Sequence, residues 1–245
     1  MPLTFRPMAF AAASIAALSL MGCGQANADK AFGEKVHAYL IAHPEVLVEM
    51  SAKLQEKQVA EQAKNAKSAV NKYRQALERD PRDFVANPNG SITVVEFFDY
   101  RCGYCKLAAP QVIALIQQNP DVRFVFKDFV IFGHDSETAA RMVLGAKDQG
   151  KTIEFHKRLM AEKSLDEASV MRIAQAVGID VAKARAVAAA PTTTQHLADT
   201  HALAQALAIE GTPAFLVGDT MIAGADMNAL KLAIEQARAG KAKKV

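Results

Sequence analysis

Residues 92–116 read ITVVEFFDYRCGYCKLAAPQVIALI, a β-branched and aromatic stretch, then two cysteines, then an apolar stretch with helical spacing. The first seven residues predict a strand and the stretch after Cys105 predicts a helix. A helix start directs unpaired N–H groups and positive dipole potential at its first residues, which favours a thiolate there. We therefore predict that Cys102 attacks disulfides and that Cys105, one turn later, resolves the mixed disulfide.

A structural zinc site is the alternative interpretation of this cysteine pair. Such a site needs two further ligands at metal-like spacing, and a chain of 3 cysteines contains no second pair. Among the 6 histidines, only His196 and His201 lie near each other in sequence. The number and spacing of the cysteines and histidines favour a redox-active dithiol. We predict that the protein has no resident metal and no cofactor.

The N-terminus predicts export from the cytoplasm. Arg6 precedes an apolar run over residues 8–22, which is shorter than the roughly 20 residues that span a bilayer. Small residues up to Ala28 then fit signal-peptidase cleavage, which would remove residues 1–28 and place the protein in an oxidising compartment. Residues 20–23, Leu-Met-Gly-Cys, also resemble a bacterial lipobox, so lipid attachment at Cys23 is the alternative.

The charge pattern argues against a nucleic-acid partner. The formal net charge is +3 over 245 residues, and no stripe of lysine or arginine interleaves with aromatic residues.

The segment before the dithiol domain predicts two helices with a thin apolar stripe. The first ends at His43, Pro44 suits the first turn of the second, and the next breaker is Asp80-Pro81. Apolar residues step by three and four along the second helix, which favours self-association over a solvated spacer. The stripe consists of Leu47, Met50, Leu54, Val59, Ala63, Ala66, Val70, Tyr73 and Leu77.

The order of the remaining elements predicts an α/β protein. The strand at 92–98, the dithiol helix and a strand at 122–126 form a β-α-β unit with parallel strands. A helical block at about 135–209 follows, and then two short strands and a last helix. We predict a mixed sheet with an all-helical insertion, preceded by an extended N-terminal helical oligomerisation segment. The expected domains are a signal peptide at 1–28, the N-terminal region at 29–86 and the sheet domain at 87–245.

This element order, together with Cys102-Gly103-Tyr104-Cys105 and Gly211-Thr212-Pro213-Ala214, resembles the thioredoxin fold in its DsbA-like form over about residues 90–240. The resemblance implies a cis Thr212–Pro213 bond whose loop faces the dithiol, and cis bonds are economical only before proline. The Thr212 backbone would then pair with an extended substrate beside the reactive sulfur. An ordinary trans proline at the start of a strand is the alternative.

The same resemblance implies a buried acid below the dithiol. Glu96, six residues before Cys102, matches that acid, and Lys127 matches its usual partner. A buried carboxyl group has a raised pKa and can collect the proton of Cys105 when a mixed disulfide resolves. A solvated charge pair at the strand edge is the alternative, but Glu96 interrupts an otherwise apolar strand.

Residues 39–47, YLIAHPEVL, are similar to the N-terminal region of the suppressor-of-copper-sensitivity protein C group. Members of that group are periplasmic and oligomerise through this region, with a trimer known among them. The resemblance implies a periplasmic homo-oligomer of a Gram-negative bacterium, assembled through residues 30–80.

The dipeptide between the cysteines indicates the direction of the chemistry, since it tunes thiolate stability. Gly103-Tyr104, like the threonine before Pro213, resembles periplasmic disulfide isomerases. We predict an isomerase or reductase that acts on unfolded or misoxidised secreted proteins and is kept reduced by a DsbD-like or ScsB-like membrane thiol reductase. The alternatives are a dithiol oxidase and a copper-tolerance protein that holds Cu(I) between Cys102 and Cys105, because thiolates suit this soft ion.

Overall fold

The computed structural model describes residues 22–242, so most of the predicted signal peptide lies outside the described part of the chain. The chain divides into two compact units, one up to Glu61 and one from Gln62 onward. Helix α1 spans Gly22–Ala42 and helix α2 spans Glu45–Glu78. Across residues 22–242, no helix is both long enough and apolar enough to cross a membrane.

The first unit leaves many large apolar side chains exposed. The helix break falls at residues 43–44, as the sequence predicts, and the Tyr39 ring lies 4.4 Å from the His43 ring. A helix whose apolar residues stay in water is typical of an interaction surface. The exposed apolar residues of this unit are Phe32, Val36, Tyr39, Ile41, Leu47, Val48, Met50 and Leu54.

The second unit is built on one five-stranded mixed sheet in the order β1-β3-β2-β4-β5. Strands β2 and β3 are parallel, and the remaining neighbours are antiparallel. The strands are β1 (Phe84–Ala86), β2 (Ile92–Phe98), β3 (Val122–Asp128), β4 (Ala214–Val217) and β5 (Thr220–Ala223).

Strand β1 is absent from the sequence-based prediction, which begins the sheet at residue 92. Its three residues pair with the outer edge of β3, with Val85 opposite Val125. A strand of three residues is too short to show a recognisable alternation of apolar and polar residues. Its extended conformation results from pairing with the edge of β3.

Helices cover both faces of the sheet. The insertion between β3 and β4 is all helical, as predicted, and contains α4 to α8. Gly145 in α4 has no room for a side chain, because a Cβ there would collide with the Ala184 carbonyl oxygen in α7. The helices are α3 (Gly103–Gln118), α4 (His134–Ala146), α5 (Thr152–Ala161), α6 (Glu167–Val177), α7 (Val181–Ala188), α8 (Pro191–Ala206) and α9 (Met227–Ala242).

Two apolar cores result, one on each face of the sheet. The front face packs against α3, α9 and the insertion helices, and the back face packs against α8 and the C-terminal part of α2. Val70 and Leu77 of α2 are buried in the back core, at 1% and 0% exposure. The last part of the predicted oligomerisation stripe therefore packs against its own sheet, because the sheet offers a large apolar face beside it.

Candidate active site

The two cysteines lie at the start of α3, as the sequence predicts. Cys102 is the N-cap residue with extended backbone angles, and its sulfur accepts a hydrogen bond from the Cys105 backbone N–H at 3.4 Å. The structure holds both residues as thiols, and both are buried. A sulfur at an N-cap receives the unpaired N–H groups and the dipole of the helix, an arrangement that stabilises a thiolate.

The loop before β4 reaches the same sulfur. The Thr212–Pro213 bond is cis, as predicted. The Cys102 thiol donates a hydrogen bond to the Thr212 carbonyl oxygen at 3.2 Å, although 110 residues separate them. Next to this contact, a cavity of about 360 Å³ is lined by the loop and by Met221 and Ala223 of β5. The loop thus presents backbone and apolar surface beside the nucleophile.

Glu96 lies buried on the front face of β2. Burial raises the pKa of Glu96 to about 8, and its Oε2 has no hydrogen-bond partner in the described part of the chain. Burial also raises the pKa of the Cys105 thiol; the Asp99 backbone opposes this rise, and the negative charge of Glu96 adds to it. A carboxyl group with a pKa near neutral pH, close to a thiol that must lose its proton, suits proton transfer.

Lys127 does not pair with Glu96, contrary to the prediction. In the parallel ladder, Glu96 lies opposite Phe126 and Lys127 lies opposite Phe97. Because successive side chains of a strand point to opposite faces, Lys127 belongs to the back face. There its Nζ lies 2.5 Å from Asp83 Oδ2 and 2.6 Å from the carbonyl oxygen of Ala76.

The front face contains a second buried acid, Asp128, which the sequence analysis missed. It lies opposite Phe98 in the ladder, and burial raises the pKa of its carboxyl group well above the ordinary value. Strand alternation could have placed Asp128 on the same face as Glu96, but only with the register of β2 and β3 known.

Tyr100 and His156 form a further buried pair that the sequence analysis missed. The Tyr100 hydroxyl lies 2.9 Å from His156 Nδ1, and burial lowers the pKa of the histidine to about 3. The ring is therefore neutral at physiological pH. The pair joins the turn before Cys102 to helix α5.

The residues between the cysteines lie at the surface. Gly103 and Tyr104 are exposed, and so is Leu107 one turn further along α3. The surface next to the dithiol is therefore accessible, whereas Cys102 and Cys105 themselves are buried.

A thiol at a helix N-terminus, a cis-proline loop at the same sulfur and a buried carboxyl group nearby define the class of thiol-disulfide oxidoreductases with a thioredoxin fold. Residues 93–235 match the family described as the DSBA-like thioredoxin domain. Residues 30–61 match the family described as the copper resistance protein ScsC N-terminal domain. The chain belongs to the DsbA-like thioredoxin-domain family and carries an ScsC-type N-terminal segment.

Solved structures of similar proteins agree with this assignment. BcfH from Salmonella enterica Typhimurium is 33% identical, with 88% of this chain and 98% of that chain covered and a TM-score of 0.71. A thioredoxin-like oxidoreductase from Silicibacter pomeroyi is 42% identical over 67% of this chain and 97% of that chain, with a TM-score of 0.64. ScsC from Proteus mirabilis is 28% identical over 88% of this chain and 99% of that chain, with a TM-score of 0.65.

Two curated relatives share only part of their length with this chain. They are Na⁺/H⁺ antiporters NhaA of Salinispora arenicola and Salinispora tropica, 30% and 32% identical over 66% and 56% of this chain. The chain spans about a quarter of their length, 26% and 22%.

Proposed function

We propose that this protein is a periplasmic disulfide isomerase or reductase acting on secreted proteins. The observation that carries the proposal is the contact between the Cys102 sulfur and the Thr212 carbonyl oxygen, 3.2 Å apart at the start of α3. This contact supports the proposal because a free backbone edge beside the nucleophile is a surface with which an extended client segment can pair. A protein from Salmonella enterica that is 26% identical is described as a periplasmic thioredoxin-like protein, which supports the compartment.

The chemistry begins when the Cys102 thiolate attacks a client disulfide. A bond forms between Cys102 and one client sulfur, and the other client sulfur leaves as a thiolate. In reduction, Cys105 gives its proton to ionised Glu96 and attacks the Cys102 sulfur. The client thiolate leaves and the pair remains oxidised. In isomerisation, another client thiolate attacks the client sulfur of the mixed disulfide, a new client disulfide forms, and Cys102 leaves as a thiolate.

The dipeptide supports isomerisation or reduction over oxidation. Gly103 and Tyr104 supply no imidazole to stabilise the Cys102 thiolate further, and a less stabilised thiolate makes the oxidised pair a weaker oxidant. Such a pair must be kept reduced, so we propose a membrane thiol reductase as the electron donor. The alternative, a dithiol oxidase, requires the pair to be oxidised in cells.

The direction is tested with a client of scrambled disulfides. Reduced protein should restore the native pairing in catalytic amounts, whereas Cys102→Ser should be inactive. The redox state of the pair in cells, read by thiol alkylation, gives the second readout. Activity that appears only with pre-oxidised protein, together with an oxidised pair in cells, would establish the oxidase instead.

We propose that the first unit assembles the homo-oligomer. Its exposed apolar residues include Leu47 and Met50, at 56% and 60% exposure, and water around such a surface favours association. A deletion to residue 80 would remove Val70 and Leu77 from the back core, so the informative deletion covers residues 30–61. The deleted chain should be monomeric by light scattering while keeping exchange with a small dithiol. An unchanged mass contradicts the assembly.

Copper binding by the dithiol is the second candidate, favoured by the copper-resistance description of the matching N-terminal family. Within residues 22–242 no group of three or more histidine, cysteine and acidic side chains is placed to hold a metal, so the two thiols would be the ligands. If Cys102→Ser leaves Cu(I) affinity unchanged, the dithiol is not the copper site.

A further inference from the structure

Asp99 is a buried carboxylate that the exchange chemistry described above does not use. It is 2% exposed and lies directly after β2, three residues before Cys102. Its Oδ1 accepts hydrogen bonds from the Arg101 backbone N–H at 2.7 Å and from the Ser136 hydroxyl at 2.6 Å. Its Oδ2 accepts from the backbone N–H groups of Ile131 and Phe132 at 2.8 and 3.1 Å.

These four bonds join two segments that are distant in sequence. Oδ1 holds the turn that carries Cys102, and Oδ2 holds the loop between β3 and α4. The Asp99 carbonyl oxygen also accepts from the Cys102 backbone N–H at 3.2 Å. Hydrogen bonds to a charged acceptor are stronger than neutral ones, so the carboxylate fixes the loop to the nucleophile's turn.

The fixed loop presents apolar surface close to the nucleophile. Phe132 is 47% exposed and Ile131 is 37% exposed. The Phe132 carbonyl oxygen accepts a hydrogen bond from the guanidinium of Arg101 at 3.1 Å. Arg101 directly precedes Cys102 in the chain. In the proposed function a client strand pairs with Thr212 and presents its cysteine to Cys102, which would bring the residues flanking that cysteine near this loop.

We propose that Asp99 is a positioning residue for client binding: by fixing the loop at residues 131–132 beside Cys102, it forms a subsite for an apolar side chain that flanks the client cysteine. The proposal rests on the proposed function, because it concerns clients that bind at Cys102. Asp99 acts through Phe132 and does not touch the reacting sulfurs of the client.

The test compares Asp99→Asn with the unaltered chain. The amide keeps one acceptor oxygen but loses the negative charge, and in either orientation its NH₂ faces at least one backbone N–H donor, so the link between the turn and the loop is weakened. With a peptide disulfide that carries leucine beside its cysteine, KM should rise about tenfold with kcat nearly unchanged, the loss expected from one weakened binding contact. Exchange with dithiothreitol, which is too small to reach the loop, should stay within about twofold.

Phe132→Ala separates positioning from general loss of structure. It should raise KM as Asp99→Asn does, and the double variant should be no worse than either single one, because both remove the same subsite. A peptide with serine in place of leucine should show no difference among the variants. Asp166→Asn, which alters an exposed carboxylate that caps α6 and accepts from the Ser169 N–H at 2.7 Å, should leave KM unchanged.

Three results would overturn the proposal. They are an unchanged KM in Asp99→Asn, an equal loss with dithiothreitol, and additive effects in the double variant. If Asp99→Asn does not fold, Ser136→Ala removes one of the four donors and should raise KM by a smaller factor that again vanishes in the Phe132→Ala background. An unchanged KM in Ser136→Ala then overturns it. The proposed function fails separately, if the unaltered chain does not exchange with the peptide disulfide at all.

Discussion

The two faces of the central strands handle buried charge in opposite ways. On the front face, Glu96 and Asp128 are buried beside the dithiol core, and each has a side-chain oxygen without a hydrogen-bond partner in the described part of the chain. On the back face, Lys127 is paired with Asp83 at 2.5 Å. The other oxygen of Asp83 also has no hydrogen bond in the described part of the chain, but it lies 3.2 Å from His196 Nε2. Adjacent residues of one strand, 127 and 128, belong to these two different environments.

The difference separates chemistry from structure. A buried acid without a cationic partner has a raised pKa and exchanges protons near neutral pH, which suits a thiol that must be deprotonated. A buried acid paired with lysine has its charge balanced and holds elements together. The back pair also contacts the last turn of α2 through the Ala76 carbonyl oxygen, so it anchors that helix to the sheet.

The strongest test of this contrast removes the back cation. Lys127→Met leaves Asp83 buried without its partner and should lower the free energy of unfolding by about 3–5 kcal/mol, as for other broken buried pairs. Urea unfolding measures this loss. Exchange activity per folded molecule should be unchanged. The double variant Lys127→Met with Asp83→Asn should recover part of the stability. A loss of activity at unchanged stability would place Lys127 in the chemistry after all.

Glu96→Gln tests the front face through pH. The pKa of Glu96 is raised from 4.5 to about 8, so the stability gained from its protonated form is full below pH 4.5 and is lost as the pH rises through 8. Glutamine stays neutral, so Glu96→Gln should match the unaltered chain near pH 4 and exceed it by a few kcal/mol at pH 9. Urea unfolding of the reduced proteins across this range gives the comparison.

In the mechanism proposed above, the same variant should slow resolution of a mixed disulfide, because glutamine cannot accept the proton of Cys105. Stopped-flow measurement of client release at pH 8 reports this step. A stability difference that does not change with pH contradicts the buried, uncompensated state of Glu96.

Tyr100→Phe has a smaller expected effect. It removes the hydroxyl that bonds to buried His156 Nδ1 at 2.9 Å and leaves that nitrogen without its partner. The expected loss is about 1–3 kcal/mol in the free energy of unfolding, measured with urea. His156→Phe together with Tyr100→Phe should lose less than the sum of the two single changes, since one bond is counted in both. Additive losses would argue against the pair.

Gly103→Ala has the smallest expected effect. A Cβ at Gly103 meets nothing within 4 Å, and the residue begins α3, where alanine is tolerated. Stability should change by no more than about 0.5 kcal/mol, as for other exposed positions. Thermal unfolding measures the stability, and exchange with dithiothreitol measures the activity of the dithiol. A large loss of exchange would show that the backbone at Gly103 must approach the client more closely than alanine allows.

The local parts of the site could be predicted from the sequence. Cys102 at a helix start and the helical insertion follow from short motifs and the order of elements, and the resemblance to the DsbA-like form implies the cis bond at Pro213. Strand β1 and the partner of Lys127 could not be predicted. The first depends on pairing with β3. The second depends on Asp83, 44 residues away in the chain, and on a register that a single residue of slip would reverse.

The amino-acid order thus predicts which groups are reactive and which elements they belong to, because a helix start is a local property of the chain. The pairing of β2 with β3 decides on which face of the sheet each charged side chain lies. The face in turn decides whether that side chain is suited to proton transfer or to anchoring a helix. Strand pairing, packing of α2 and the bonds of Asp99 join residues far apart in the chain. Their free energies depend on burial that no short stretch contains.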